Sequence, residues 1–251
     1  MAVNVDVMLF KAFDYTDAET GEVFTLPYRV YFPTDYETNP AKTYPILFFL
    51  HGHGECGTDN KLQIRVLEKE NRLIDMVMER DDCIIVAPQC PCNPKYEWVP
   101  LNHAWGTGSR ELTEKPTVGL AAATALLKTY LASGRIDLSR VYGAGISMGG
   151  YGTWELITRN SELFAAAIPV CGSGIPSLAH RLVDMGIWAF HGTLDPTVPV
   201  SGSRDMVEAI KAAGGTNVHY NEFPHTWHDA WIPAYKTEGL VDWLFDQKKT
   251  I

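Results

Sequence analysis

Ser147 stands in Gly145-Ile146-Ser147-Met148-Gly149, a G-x-S-x-G pentapeptide. An apolar run, 141–144, precedes it, and a stretch that reads as a helix, 151–158, follows. In that setting a sharp strand-to-helix turn lifts the serine hydroxyl clear of the backbone. The helix start then supplies free N–H groups and partial positive charge beside it. Such a turn needs small neighbours, and Gly145, Gly149 and Gly150 meet the need. The plain alternative is a Gly-rich turn with a capping serine. The strand before and the helix after favour a nucleophile.

A serine hydroxyl is a poor nucleophile near neutral pH and needs a neighbouring base. The chain has eight histidines. His228 lies in the loop after 218–223, which reads as the last strand, where the chain order Ser, Asp, His expects the base. His225 shares the loop and is the rival; it follows Phe223-Pro224 and is expected to shape the turn. His191 ends the preceding strand, where a turn role is expected. His103, His180 and His219 have no comparable position. The acid that orients the base is expected at Asp195, the carboxylate of His191-Gly192-Thr193-Leu194-Asp195-Pro196. Its plain alternative is a helix cap or turn residue. Asp184, Glu222 and Asp229 are more poorly placed. The gaps between the three residues each hold about one helix and one strand, with no room for a large lid.

A tetrahedral intermediate needs two donors for its oxyanion. The N–H of Met148 is one candidate. The other is the N–H of His53 in Leu50-His51-Gly52-His53-Gly54-Glu55, whose glycines permit close backbone approach. His51 and His53 also resemble a metal pair, but no third ligand follows at useful spacing. Cys90-Pro91-Cys92 is too tightly spaced for the usual zinc pair. No metal and no organic cofactor are therefore expected. Five cysteines leave at least one thiol free, or bonded to another chain.

The elements that must hold these residues follow an alternating pattern. Apolar runs at 45–50, 83–87, 141–144, 165–170 and 187–190 suit strands buried on both faces. Helical patterns at 73–80, 118–131, 201–213 and 241–248 alternate with them. Two strands around a turn near Gly21, over 3–13 and 23–32, open the chain. The pattern predicts an α/β fold: a mixed, mostly parallel sheet flanked by helices, with ligands at the C-terminal strand ends. One domain is expected over 1–251, with 1–35 as antiparallel strands of the same sheet.

At 251 residues, 46% hydrophobic and 20% charged, the composition is that of a globular protein with a sizeable core. The net charge of −9 argues against nucleic acid or an anionic membrane as partner. The expected partner is a small ester or esterified carbohydrate. No basic segment followed by an apolar one opens the chain, so the expected compartment is the cytoplasm, or the periplasm or exterior for a protein whose signal has been removed. The sequence leaves the oligomeric state open.

From about Pro27 onward the chain resembles the α/β-hydrolase superfamily. Within it, the chain looks like the bacterial esterases grouped with feruloyl and acetylxylan esterases and with polyhydroxybutyrate-depolymerase-like proteins. Relatives of these are often labelled predicted peptidases, since they resemble the prolyl-oligopeptidase catalytic domain. The segment 50–55, the segment 145–154, His191 to Asp195 with Val198-Pro199, and His228-Asp229-Ala230-Trp231 carry the resemblance. It implies Ser147 as nucleophile, Asp195 as acid and His228, rather than His225, as base. Cys56 departs from the arginine often found there. The implied activity is hydrolysis of feruloyl or acetyl esters of plant polysaccharide, with a serine peptidase as the alternative. Tyr96, Trp98, His103 and Trp105 lie in a segment, 91–116, expected to hang over the strand ends. Trp98, Trp105 and Trp231 are the expected substrate contacts, by stacking on a sugar or phenolic ring; Trp227 could share that work.

Overall fold

The computed structural model describes residues 7–64, 73–100 and 110–250. Its strands are β1 (Leu9–Thr16), β2 (Val23–Tyr31), β3 (Tyr44–Leu50), β4 (Ile84–Pro88), β5 (Ile136–Ile146), β6 (Ala166–Val170), β7 (Gly186–Gly192) and β8 (Val218–Phe223). They form one eight-stranded sheet in the order β1-β2-β4-β3-β5-β6-β7-β8. The β1–β2 and β2–β4 pairs are antiparallel, and every other neighbour is parallel.

Every residue of β3 is buried. Side chains alternate across a strand, so Ile46, Phe48 and Leu50 enter one core while Leu47 and Phe49 enter the other. On the first face lie helices α2 (Val118–Leu131), α3 (Met148–Arg159) and α4 (Ser201–Ala212), through Leu126, Trp154 and Met206 among others. The second face is covered by α1 (Leu73–Arg80), α5 (Trp231–Ala234) and α6 (Leu240–Asp246), through Val77, Ala234 and Leu244. Covering both faces is what makes the strand sequences continuously apolar. Each fully buried Leu, Ile or Phe contributes about 1.5–3 kcal/mol.

The first strand runs past its expected end at residue 13 to Thr16, in register with Val23, while residues 3–6 of the expected strand lie outside the described residues. The Asp17 carboxylate then closes the turn by accepting from the Glu19 and Thr20 N–H groups. Strand β5 starts earlier than its apolar run. Ile136 pairs with Tyr44, but Ile46 pairs with Val141, so β5 carries extra residues in a bulge between them. Asp137 ties that bulge to Ser139 and Arg140.

The parallel strands end together. Leu50 lies beside Gly145, and Gly192 beside Phe223. The loops after β3, β5, β7 and β8 therefore meet at one edge. Among the described residues, no helix is long and apolar enough to cross a membrane.

Candidate active site

Ser147 is the hinge between β5 and α3, with φ 54° and ψ −120°. A non-glycine residue in that region is strained by roughly 1–3 kcal/mol and persists only where its surroundings over-determine it. Here they do. The Ser147 N–H donates to the Val170 carbonyl at 2.9 Å. The crossing backbones leave no room at Gly149, where an added Cβ would lie 2.0 Å from the Leu50 carbonyl oxygen.

The strained turn presents Ser147 Oγ 2.7 Å from His228 Nε2. His228 Nδ1 lies 2.7 Å from Asp195 Oδ2. His228 thus donates from Nδ1 and accepts the Ser147 hydroxyl at Nε2. The Asp195 side chain is fully buried. Its Oδ1 accepts from the Thr197 and Val198 N–H groups, each at 2.9 Å. Burial pushes the Asp195 carboxyl up. Hydrogen bonds from His191, His228 and Val198 together outweigh it and hold the group well below the usual carboxylate range. A permanently ionised acid of this kind can fix the base's tautomer and stabilise an imidazolium.

His191 does more than shape a turn. It is buried, with Nε2 3.0 Å from the Val198 carbonyl and 3.3 Å from Asp195 Oδ2. Both are acceptors, so Nε2 carries the hydrogen, while Nδ1 meets the Ser203 hydroxyl at 2.8 Å. No sequence spacing announces this second histidine on the acid; only the tight 191–195 turn after a buried strand hints at it. His225, by contrast, is exposed at φ 57°, and its N–H donates to Thr193 Oγ1.

The loop after β3 comes close to the nucleophile: a Cβ on Gly52 would lie 3.5 Å from Ser147 Cβ. His53 opens a 3-10 turn, His53–Glu55, and Met148 opens α3. First-turn N–H groups have no partner within their own helix, so both can turn toward an oxyanion at Ser147. The His53 ring is half exposed and lies 3.5 Å from Glu97.

A cleft of about 250 Å³ is lined by Gly52, His53, Glu55, Ser147, His228 and Trp231, among others. Trp231 meets the His228 ring edge-on, with centroids 5.5 Å apart. Trp98 requires a correction. It is fully buried, donates from Nε1 to the His51 carbonyl and packs where Gly152 has no side chain. It supports the loop from beneath and offers no face to a substrate. Tyr96 likewise is turned away, stacked on Phe24 and donating to Glu22. Trp105 and His103 lie outside the described residues. Trp227 is 62% exposed and does not line the cleft.

Glu55 is a cleft residue that sequence reasoning passed over, because only the 3-10 turn folds it inward. Burial pushes its carboxyl up to about 7, against hydrogen bonds from the Gly52 and Glu55 N–H groups. Between the ordinary value of 4.5 and about 7 the folded chain holds a proton that the unfolded chain has lost. Stability therefore falls as pH rises through that window. Thermal unfolding should show this decline, and Glu55→Gln should flatten it; an unchanged slope in the variant would place the titration elsewhere.

No protein-family model matches the chain, and no curated protein matches it. Solved structures do. A thermostable esterase is 39% identical with a TM-score of 0.78, over 96% of this chain and 63% of that one. A ferulic acid esterase is 20% identical with a TM-score of 0.63, over 95% and 99%. A Pyrococcus horikoshii acylaminoacyl peptidase is 16% identical with a TM-score of 0.67, over 97% and 42%. This chain thus spans less than two thirds of the length of the thermostable esterase. All three neighbours are α/β-hydrolases, and this chain has their fold.

Proposed function

We propose that this α/β-hydrolase is a serine carboxylic-ester hydrolase working through an acyl-enzyme. The observation that carries the reading is the hydrogen-bonded relay Ser147–His228–Asp195, opening on a cleft. Ser147 Oγ attacks the ester carbonyl carbon while His228 Nε2 takes the hydroxyl proton. The N–H groups of Met148 and His53 receive the oxyanion, each such donor being worth about 10²–10³ in kcat. The tetrahedral intermediate collapses, the C–O bond to the alcohol breaks, and His228 gives its proton to the leaving alkoxide. Water then attacks the acyl carbon and gives its proton to His228; the second tetrahedral intermediate collapses, the C–Oγ bond breaks, and His228 returns the proton to Ser147 Oγ as the acid leaves. Asp195 orients His228 and stabilises its charged form throughout.

The substrates we favour are acetyl or feruloyl esters of plant polysaccharide, or similar small esters. The similarity to a thermostable esterase at 39% identity supports the ester linkage. The size of the cleft, with the Trp231 ring at its side, suits a small acyl group or a planar one.

A substrate panel tests this: p-nitrophenyl acetate and butyrate, methyl ferulate, acetylated xylan and a peptide anilide. Ester turnover with little or no cleavage of the anilide is expected. Peptide cleavage without ester turnover would overturn the proposal.

A further inference from the structure

Behind the loop that carries His53, two cysteines and a histidine come together from separate parts of the chain, with a third cysteine close in sequence. Cys56 follows the 3-10 turn, Cys90 and Cys92 follow β4, and His51 follows β3. His51 Nε2, Cys56 Sγ and Cys90 Sγ all lie within 4.8 Å of one another. The His51 Nε2 to Cys90 Sγ distance is 3.7 Å. Cys92, two residues after Cys90, is an exposed thiol outside that 4.8 Å group. All five cysteines of the chain are free thiols.

We propose that Cys56, Cys90 and Cys92, with His51 Nε2 as the fourth ligand, form a binding site for a zinc-class divalent ion that fastens the His53 loop to the end of β4. Three thiolates and an imidazole are a usual tetrahedral zinc set. Zn–S bonds of about 2.3 Å and Zn–N bonds of about 2.0–2.1 Å put neighbouring ligand atoms roughly 3.5–3.8 Å apart. The His51–Cys90 distance already falls in that range.

The tautomer is also the right one. His51 Nδ1 donates to the Gly52 carbonyl at 2.6 Å, which leaves Nε2 with its lone pair. A backbone carbonyl on the far ring nitrogen is the usual support of a ligating histidine. Nε2 meanwhile accepts from the Cys90 N–H at 3.1 Å, a contact the ion would replace. His51, Cys56 and Cys90 are buried while Cys92 is exposed, which gives the ion a way in from solvent. Binding replaces three S–H bonds by Zn–S bonds and releases three protons, with no change of oxidation state. The buried Glu97 nearby adds negative charge that favours a cation.

The second such cluster, Cys171 with His191 and Asp195, has no carboxylate oxygen to spare. Asp195 is already committed to His228, His191 and two N–H groups.

The test is a titration of the reduced, chelator-stripped full chain with Zn²⁺ against a chromophoric chelator, and with Co²⁺ in the spectrophotometer. One equivalent of Zn²⁺ should bind. Co²⁺ should give the thiolate charge-transfer band and intense visible bands of a tetrahedral sulfur-rich site. Cys56→Ser and Cys92→Ser should each weaken binding by more than the roughly 10–100-fold typical of losing a supporting residue. Circular dichroism checks that both variants fold, and Cys92, being exposed, is the safer of the two. No stoichiometric zinc uptake by the reduced chain, an octahedral cobalt spectrum, or uptake unchanged in both variants would overturn the proposal. So would a Cys56 disulfide in protein isolated without reductant, together with no zinc uptake after reduction.

Discussion

Replacing Ser147 by alanine is expected to lower kcat for p-nitrophenyl acetate by about 10⁶, as for other serine triads. The loss should fall on kcat, with KM little altered, because only the bond-forming atom is removed. The fold should survive. Alanine keeps the Cβ, so it meets the same backbone at φ 54° and the same neighbours. About 10³–10⁴ of rate enhancement over water should persist, from the oxyanion donors and substrate binding. Steady-state kinetics with circular dichroism as the control would show this. Near-normal turnover would remove Ser147 from the mechanism.

His228→Ala should be damaging on the same scale, again about 10⁶ in kcat, while His225→Ala should leave turnover within a few-fold of the parent. The contrast follows from geometry. His228 alone of the two bridges Ser147 Oγ and Asp195 Oδ2. His225 contributes its backbone N–H to Thr193, which alanine retains. Because the serine and the histidine act as a unit, the Ser147→Ala/His228→Ala double variant should be no slower than either single one. A ranking with His225 ahead would reassign the base, and additive losses would mean that the two residues act separately.

The sheet was legible because its parallel strands are covered on both faces, leaving uninterrupted apolar runs such as Ile84–Pro88. Residues 136–140 were not, since polar Asp137, Ser139 and Arg140 interrupt the apolar pattern where the strand bulges against β3. The four-residue α5 is too short for any periodicity to announce. At the site, Ser147, Asp195 and His228 were legible because each follows a strand end, and strand ends converge in a parallel sheet. Trp98 misled for a physical reason. An aromatic in a long connection reads as a free face, and nothing in its neighbours tells that the His51 carbonyl and the empty side of Gly152 draw it under. Glu55 and the Cys56–Cys90–Cys92 group were hidden because their proximity is tertiary. The sequence separates Cys56 from the Cys90-Pro91-Cys92 pair by a helix and a strand, and spacing rules see only the pair.

The backbone at Ser147 bears on the whole molecule. Glycine would occupy φ 54°, ψ −120° with far less strain, so the fold is less stable than this position would allow. The shortfall is on the order of 1–3 kcal/mol, a sizeable part of the 5–15 kcal/mol margin of an ordinary domain. The two buried cores must supply that difference. Activity and robustness are thus in direct opposition at a single residue, and substitutions that stabilise this protein without harming it should be sought anywhere except the elbow.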